Sequence, residues 1–174
     1  MQSADKKLIL DSQAIHNRVR EIGEEISKDY QGKEILVIGV LKGAFIFMAD
    51  LIRTLSVPVT VDFIQVSSYG NSAASSGKIT LLANPSLNLQ DRHILLVEDI
   101  IDTGRTMRWM ADHFSTLGAA SVHLCCLIDK AERREEEVTI DYLGFAIPQG
   151  FLVGYGLDYN EAYRNLPHIY HLNL

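Results

Sequence analysis

The run Ile35-Leu-Val-Ile-Gly-Val40 contains no polar side chain. Such a short, unbroken apolar segment suits a strand covered on both faces, the situation of an interior strand in a parallel sheet. Val59 to Val66, Ile94 to Val97 and Val122 to Ile128 also read as strands, and the segments between them change to helical spacing. Asp11 or Ser12 can cap a helix in which Ile15, Val19, Ile22 and Ile26 recur at intervals of four and three. Phe45, Met48, Leu51, Ile52 and Leu55 suggest a second helix, and Met107, Met110, Ala111, Phe114 and Leu117 a third that ends near Gly118. Alternating strands and helices predict an α/β domain with a mostly parallel central sheet flanked by helices. In such sheets ligands gather beyond the carboxyl ends of the strands.

Ile79 to Leu82 reads as a short strand that pairs back, and Tyr142 to Ile147 and Phe151 to Tyr155 as β-rich segments. Asn84-Pro85 and Asp91-Arg92 mark turns, and Ser67 to Lys78 has almost nothing to pack, which makes it a long candidate loop. The charge run Arg133-Arg134-Glu135-Glu136-Glu137 reads as a solvated connection. No repeat or linker divides the chain, and 174 residues of which 47% are hydrophobic suffice for one domain, residues 1–174, with a core that needs no disulfide. Cys125 and Cys126 are adjacent, point to opposite faces of a strand and lack zinc-ligand partners, so they read as buried thiols. Lys42, Gly43 and Asp50 interrupt the longest apolar stretch, which argues against a bilayer span. The polar start lacks the apolar run of a secretory signal, so the cytoplasm is the expected compartment. A net charge of −6 offers no general attraction for nucleic acid, and an anionic ligand must be held by local groups.

The chemistry concentrates between Ile94 and Thr106, where a buried strand runs into a helix start. Thr103-Gly104-Arg105-Thr106 supplies backbone amides, hydroxyls and a guanidinium at a helix N-terminus, a pocket for a phosphate monoester. Glu98 and Asp99 beside it suit the hydroxyls of a sugar and the magnesium that accompanies a diphosphate, and Asp102 then faces an attacking base. The plainer alternative is a charged loop capping a helix. There is no GxxxxGK[ST], and Gly154-Tyr155-Gly156 lacks the third glycine of a dinucleotide fingerprint.

The segment Val97-Glu-Asp-Ile-Ile-Asp-Thr-Gly-Arg-Thr106 resembles the phosphoribosyl-diphosphate motif of type I phosphoribosyltransferases. The likeness continues through Leu41-Lys42-Gly43, Ser68-Tyr69, Asp129-Lys130, Phe151 to Asp158 and Arg164, and is nearest to the hypoxanthine (hypoxanthine-guanine) phosphoribosyltransferases. The resemblance implies that fold, with a small hood and a flexible lid loop carrying Ser68 and Tyr69. It implies that Asp102 takes the proton from the purine nitrogen, that Glu98 and Asp99 hold the ribose, and that Asp102, Thr103, Gly104, Arg105 and Thr106 surround the 5-phosphate. Arg105 stands where many relatives carry lysine, which keeps the charge and changes its geometry. Leu41, Lys42 and Gly43 match a pyrophosphate loop with a non-proline cis peptide before the lysine, and Arg164 matches a second cation for that leaving group.

For the base, the resemblance implies Ile100, Lys130, Phe151, Leu152 and Asp158. Lys130 would donate to the exocyclic oxygen of a 6-oxopurine, Phe151 would stack on the ring and the Leu152 backbone would read its far edge. Taken without the resemblance, Lys130 and Arg164 read as surface cations, Phe151 and Leu152 as core, and Asp158 as a turn former. Magnesium is the implied cofactor, with Glu98, Asp99 and Asp158 as the associated acids; a homodimer or homotetramer is the implied assembly. His168 and His171 have helical spacing without a third ligand and read as surface or interface residues. The expected reaction transfers the 5-phosphoribosyl group of phosphoribosyl diphosphate to hypoxanthine, and secondarily to guanine, with release of pyrophosphate. A nucleotide-sensing RNA-binding regulator on the same fold is disfavoured by the acidic balance. An enzyme for xanthine or a pyrimidine is disfavoured by the Lys130 and Phe151 segment.

Overall fold

The computed structural model describes residues 5–68, 79–83 and 85–173. Helix α1 (Ser12–Asp29) begins where expected: Asp11 is extended, and its carboxylate accepts from the Ala14 N–H at 2.7 Å. Its Ile15, Val19, Ile22 and Ile26 are buried, each worth about 1.5–3 kcal/mol as an upper bound.

The main sheet contains β2 (Ile35–Leu41), β3 (Val59–Ser68), β4 (Ile79–Ala83), β5 (His93–Ile101), β6 (Ser121–Asp129) and β7 (Tyr142–Ala146), in the order β4-β3-β2-β5-β6-β7. All neighbours are parallel except β4, which folds back antiparallel on β3 as its sequence suggests. Along β2 the pleat divides the core. Ile35 and Val37 join α1 and α2 (Phe45–Ile52), whereas Leu36, Ile38 and Val40 join Met107, Met110 and Phe114 of α3 (Arg105–Thr116). Cys125 and Cys126 are free, buried and assigned one to each side, as their adjacency predicts.

The helical stripes need small corrections. Phe45 is 44% exposed and Phe47 takes the core position, because α2 seats Phe47, Met48 and Leu51 against the sheet; the helix stops at Ile52, before Leu55. Leu117 lies beyond the last turn of α3 and is exposed, and Gly118 follows at φ 84°.

A second, antiparallel sheet is made by β1 (Lys6–Leu10), β9 (Ile169–Leu172) and β8 (Leu152–Val153), in the order β1-β9-β8. The β-rich segment expected over Phe151 to Tyr155 contributes only these two strand residues, since Gly154 and Tyr155 both take positive φ. His168 and His171 are not on a helix: His171 belongs to β9, and His168 Nδ1 accepts from the Ser12 N–H at 2.8 Å at the start of α1. The hood also leans on the main sheet. At Gly156, φ 99°, a Cβ would strike the Gly43 carbonyl, and Tyr155 donates to Asp50 at 2.6 Å.

Candidate active site

β2, β3, β5 and β6 end at one edge of the parallel sheet, where the chain encloses a cavity of about 420 Å³. Its wall combines Leu41 at the end of β2 with Lys42 and Gly43 after it, Glu98 to Gly104 at the end of β5, Thr106 and Met107 from α3, and Asp158 and Arg164 from the hood. Ser68 ends β3; Tyr69 and residues 70–78, on which the expected lid falls, lie outside the described residues.

The acidic motif is more strand than turn. β5 continues through Glu98, Asp99, Ile100 and Ile101, because Glu98 pairs with Cys126, Ile100 with Ile128 and Ile101 with Asp129. Strand pairing carries the two carboxylates into the interior, where each is only 9% exposed. Burial, reinforced by the Asp99 charge, pushes the Glu98 carboxyl well above its ordinary range. Burial also raises Asp99, opposed by hydrogen bonds from Glu98 and the Ile100 N–H and by the Arg164 charge. Gly43 makes room for this arrangement, since a Cβ there would fall on the Asp99 carboxylate. The Leu41–Lys42 peptide is cis, as the resemblance implies.

Gly104 precedes α3 at φ 83°, and its Cβ position is filled by the Glu136 carbonyl. Among the described residues Gly104 makes no side-chain cap, and the Arg105 N–H is held only loosely, by Thr103 Oγ1 at 3.4 Å, so the first turn of α3 keeps amides for an anion beside Thr106. Arg105 points elsewhere: its guanidinium pairs with Glu135 at 2.6 Å and does not line the cavity. Its expected phosphate contact thus reduces to its backbone in this structure.

Asp102 lines the cavity with Oδ1 buried and, among the described residues, without a partner, while Oδ2 lies 3.4 Å from Arg133. An unpaired buried acceptor is costly unless a donor arrives. The residues 133–137, read from sequence as a solvated connection, hold this turn from below. Arg134 donates to the Asp102 carbonyl at 3.0 Å and pairs with Asp129, and the N–H groups of Glu135 and Glu136 donate to the Thr103 carbonyl at 2.9 and 3.0 Å. Their only signal in the sequence was a block of opposite charges, which is also the pattern of a solvated loop.

The base-side residues are less gathered. Lys130 follows β6, and its N–H donates to the Ile101 carbonyl at 2.9 Å, beside the motif. Phe151 is 38% exposed with its ring edge-on to Tyr159, and Leu152 is buried in β8. None of the three lines the 420 Å³ cavity, whereas Ile100 and Asp158 do. Asp158 pairs with Arg164 at 2.8 Å and accepts from the Glu161 N–H at 2.9 Å, and Arg164 also donates to the Gly156 carbonyl at 2.8 Å. Among the described residues no three His, Cys, Asp or Glu side chains converge as a metal cage, so Glu98, Asp99 and Asp158 share a wall without forming one. That donor set fits a divalent ion that brings ligand oxygens and waters with it.

A model of the phosphoribosyl transferase domain matches residues 6–160, and the chain belongs to that family. Its hypoxanthine-guanine phosphoribosyltransferase relatives include that of Bacillus subtilis, 43% identical over 164 residues, 94% of this chain and 91% of the relative. The enzyme of that name from Streptococcus pneumoniae is 44% identical with the same coverage. A crystal structure of a hypoxanthine-guanine phosphoribosyltransferase from Bacillus anthracis superposes with a TM-score of 0.92 at 43% identity, covering 97% of this chain and 99% of the other. By these measures the chain is a member of the hypoxanthine-guanine phosphoribosyltransferases. It also matches the bifunctional protein TilS/HprT of Listeria monocytogenes at 42% identity, where it spans about a quarter (26%) of the relative's length.

Proposed function

We propose that the protein transfers the 5-phosphoribosyl group from phosphoribosyl diphosphate to hypoxanthine, and also to guanine, releasing pyrophosphate and forming IMP or GMP. The observation that carries this reading is Asp102 Oδ1, unpartnered among the described residues and set in one cavity with the buried Glu98–Asp99 pair and the N-terminus of α3.

The 5-phosphate sits on the Thr103 to Thr106 turn, at the N-terminus of α3. Glu98 and Asp99 take the ribose diol: their carboxyl oxygens, brought into the cavity wall by the end of β5, accept from the two hydroxyls. Lys42 and Arg164 receive the diphosphate, and Gly43 keeps the loop carrying Lys42 against the acids. As the anomeric bond lengthens, positive charge builds on the sugar ring. Asp102 accepts the N–H proton of the incoming base, and Lys130 donates to its 6-oxo group. Phe151 covers the ring, the Leu152 backbone meets the far edge, and Ser68 and Tyr69 belong to the lid that excludes water. Asp158, Glu98 and Asp99 are the residues that would hold magnesium, which would supply charge neutralisation to the diphosphate.

The chain contains no helix, among the described residues, long and apolar enough to cross a membrane. The proposal assigns it to the cytoplasm as a homodimer or homotetramer; exposed Phe45, Val61 and Phe63 offer an apolar face to a second copy, and sedimentation tests this. The transfer itself is tested with Asp102→Asn. Turnover of hypoxanthine should fall about 10²- to 10⁴-fold while phosphoribosyl diphosphate binds with unchanged affinity. Full activity in that variant removes Asp102 from the proton transfer.

A further inference from the structure

We propose that Arg134, in the connection between β6 and β7, is the positioning residue for Asp102; the proposal rests on the transferase reading above. Three successive carbonyls at the end of β5 are gripped from this connection. Ile101 O accepts from the Lys130 N–H at 2.9 Å and from Arg134 at 3.4 Å. Thr103 O accepts from the N–H groups of Glu135 and Glu136. Asp102 O, between them, has Arg134 Nε at 3.0 Å as its donor among the described residues.

The distribution of donors gives the guanidinium a local task. Without it, Ile101 and Thr103 each keep a backbone donor, and Asp102 alone loses its hold. The Asp102 side chain does not compensate: among the described residues Oδ1 has no partner, and Oδ2 meets only the exposed Arg133, at 3.4 Å. Its direction is therefore set through its own backbone. Arg134 is well placed to set it, being only 20% exposed and neutralised by Asp129, which ends β6 next to Lys130. One planar, multiply donating group thus ties the strand end carrying Lys130 to the turn carrying Asp102, a geometry an ammonium does not reproduce.

The nest formed by Thr103 to Thr106 hangs on the Glu135 and Glu136 amides instead. Loss of Arg134 consequently separates chemistry from sugar-phosphate binding. In Arg134→Ala, kcat for hypoxanthine should fall about 10- to 100-fold, the effect of displacing a reacting group by roughly 1 Å. KM for phosphoribosyl diphosphate should stay within about twofold, and millimolar guanidinium should recover several-fold of the lost kcat. Guanidinium should do nothing for the wild type or for Asp102→Asn. If the alanine variant does not fold, Arg134→Gln, which retains a donor for one carbonyl, carries the same test with a smaller kcat loss. Unchanged kcat, or kcat and phosphoribosyl diphosphate affinity lost in proportion to the folded fraction without guanidinium recovery, overturns the positioning role. A wild type that transfers phosphoribosyl to no 6-oxopurine in the same assay overturns the transferase reading itself, and this proposal with it.

Discussion

Glu161 Oε1 stands 3.0 Å from Lys42 Nζ, joining the turn after Asp158 to the loop after β2. Its other oxygen lies 3.2 Å from Arg164, and the two cations hold its carboxyl below its ordinary range. A carboxylate thus bridges the two cations that the proposed reaction assigns to pyrophosphate, and an arriving diphosphate must displace it. Both side chains of the Lys42 pair are more than half exposed, so the competition is modest and weakened by salt. Glu161→Gln should tighten pyrophosphate binding about two- to fivefold at low ionic strength, with the gain shrinking as salt is added. Calorimetric titration of both proteins measures this, and weaker binding in the variant would show that Glu161 aligns the cations and does not compete for them.

Gly43 has no room for a side chain because the Asp99 carboxylate occupies its Cβ position. Gly43→Ala must push apart the Lys42 loop and the acidic pair, two walls of one cavity. The expected loss is more than about tenfold in kcat/KM for phosphoribosyl diphosphate. Gly32→Ala serves as the control for space, since nothing lies within 4 Å of a Cβ there; its φ of 77°, which Gly43 does not share, adds only a local backbone cost.

The parallel sheet was legible because β2, β5 and β6 are buried on both faces and so are written as apolar runs. The hood was legible only in part. Phe151 to Tyr155 reads as β-rich and contributes the two residues of β8, whereas Lys6–Leu10 is mostly exposed and carries no pattern that announces a strand before its partner is known. In the site, the motif from Glu98 to Thr106 located the cavity, yet its acids looked like loop residues; only pairing with β6 shows them as strand. The role of Arg134 was hidden for a related reason. A charge run has the same composition whether it is solvated or folded under a turn, and only the carbonyls above it distinguish the two.

Glu98 also predicts a pH dependence of stability. Its folded-state pKa is raised by burial and by Asp99, so between the unfolded value, near 4.3, and the raised one the folded state holds more protons than the unfolded state. Stability from this group is complete below that unfolded value and declines as pH rises toward the folded one. Asp99, raised by burial, adds a contribution of the same sign. Glu98→Gln keeps the shape and removes the titration. Its melting temperature relative to wild type should climb between pH 5 and 8, at roughly 2–4 °C for each kcal/mol relieved. A constant difference across that range would mean Glu98 does not titrate there.

Lys130 tests base recognition separately from sugar binding. Its backbone N–H is already committed to Ile101 O, so the ammonium is the group left to meet a ligand, and it lies outside the cavity wall that holds the acids and the phosphate turn. A hydrogen bond from an ammonium to a 6-oxo oxygen is worth about 1.5–3 kcal/mol, which corresponds to roughly 10- to 100-fold in kcat/KM. Adenine presents an amino group at that position, and an ammonium facing it finds no acceptor. Lys130→Ala should therefore lower kcat/KM for hypoxanthine and guanine by that factor, leave any adenine turnover unchanged or slightly raised, and preserve phosphoribosyl diphosphate affinity. Equal loss with all three bases would assign Lys130 to the fold of the β6 end, because a misplaced strand end harms every base alike whereas a missing donor harms only those that accept from it.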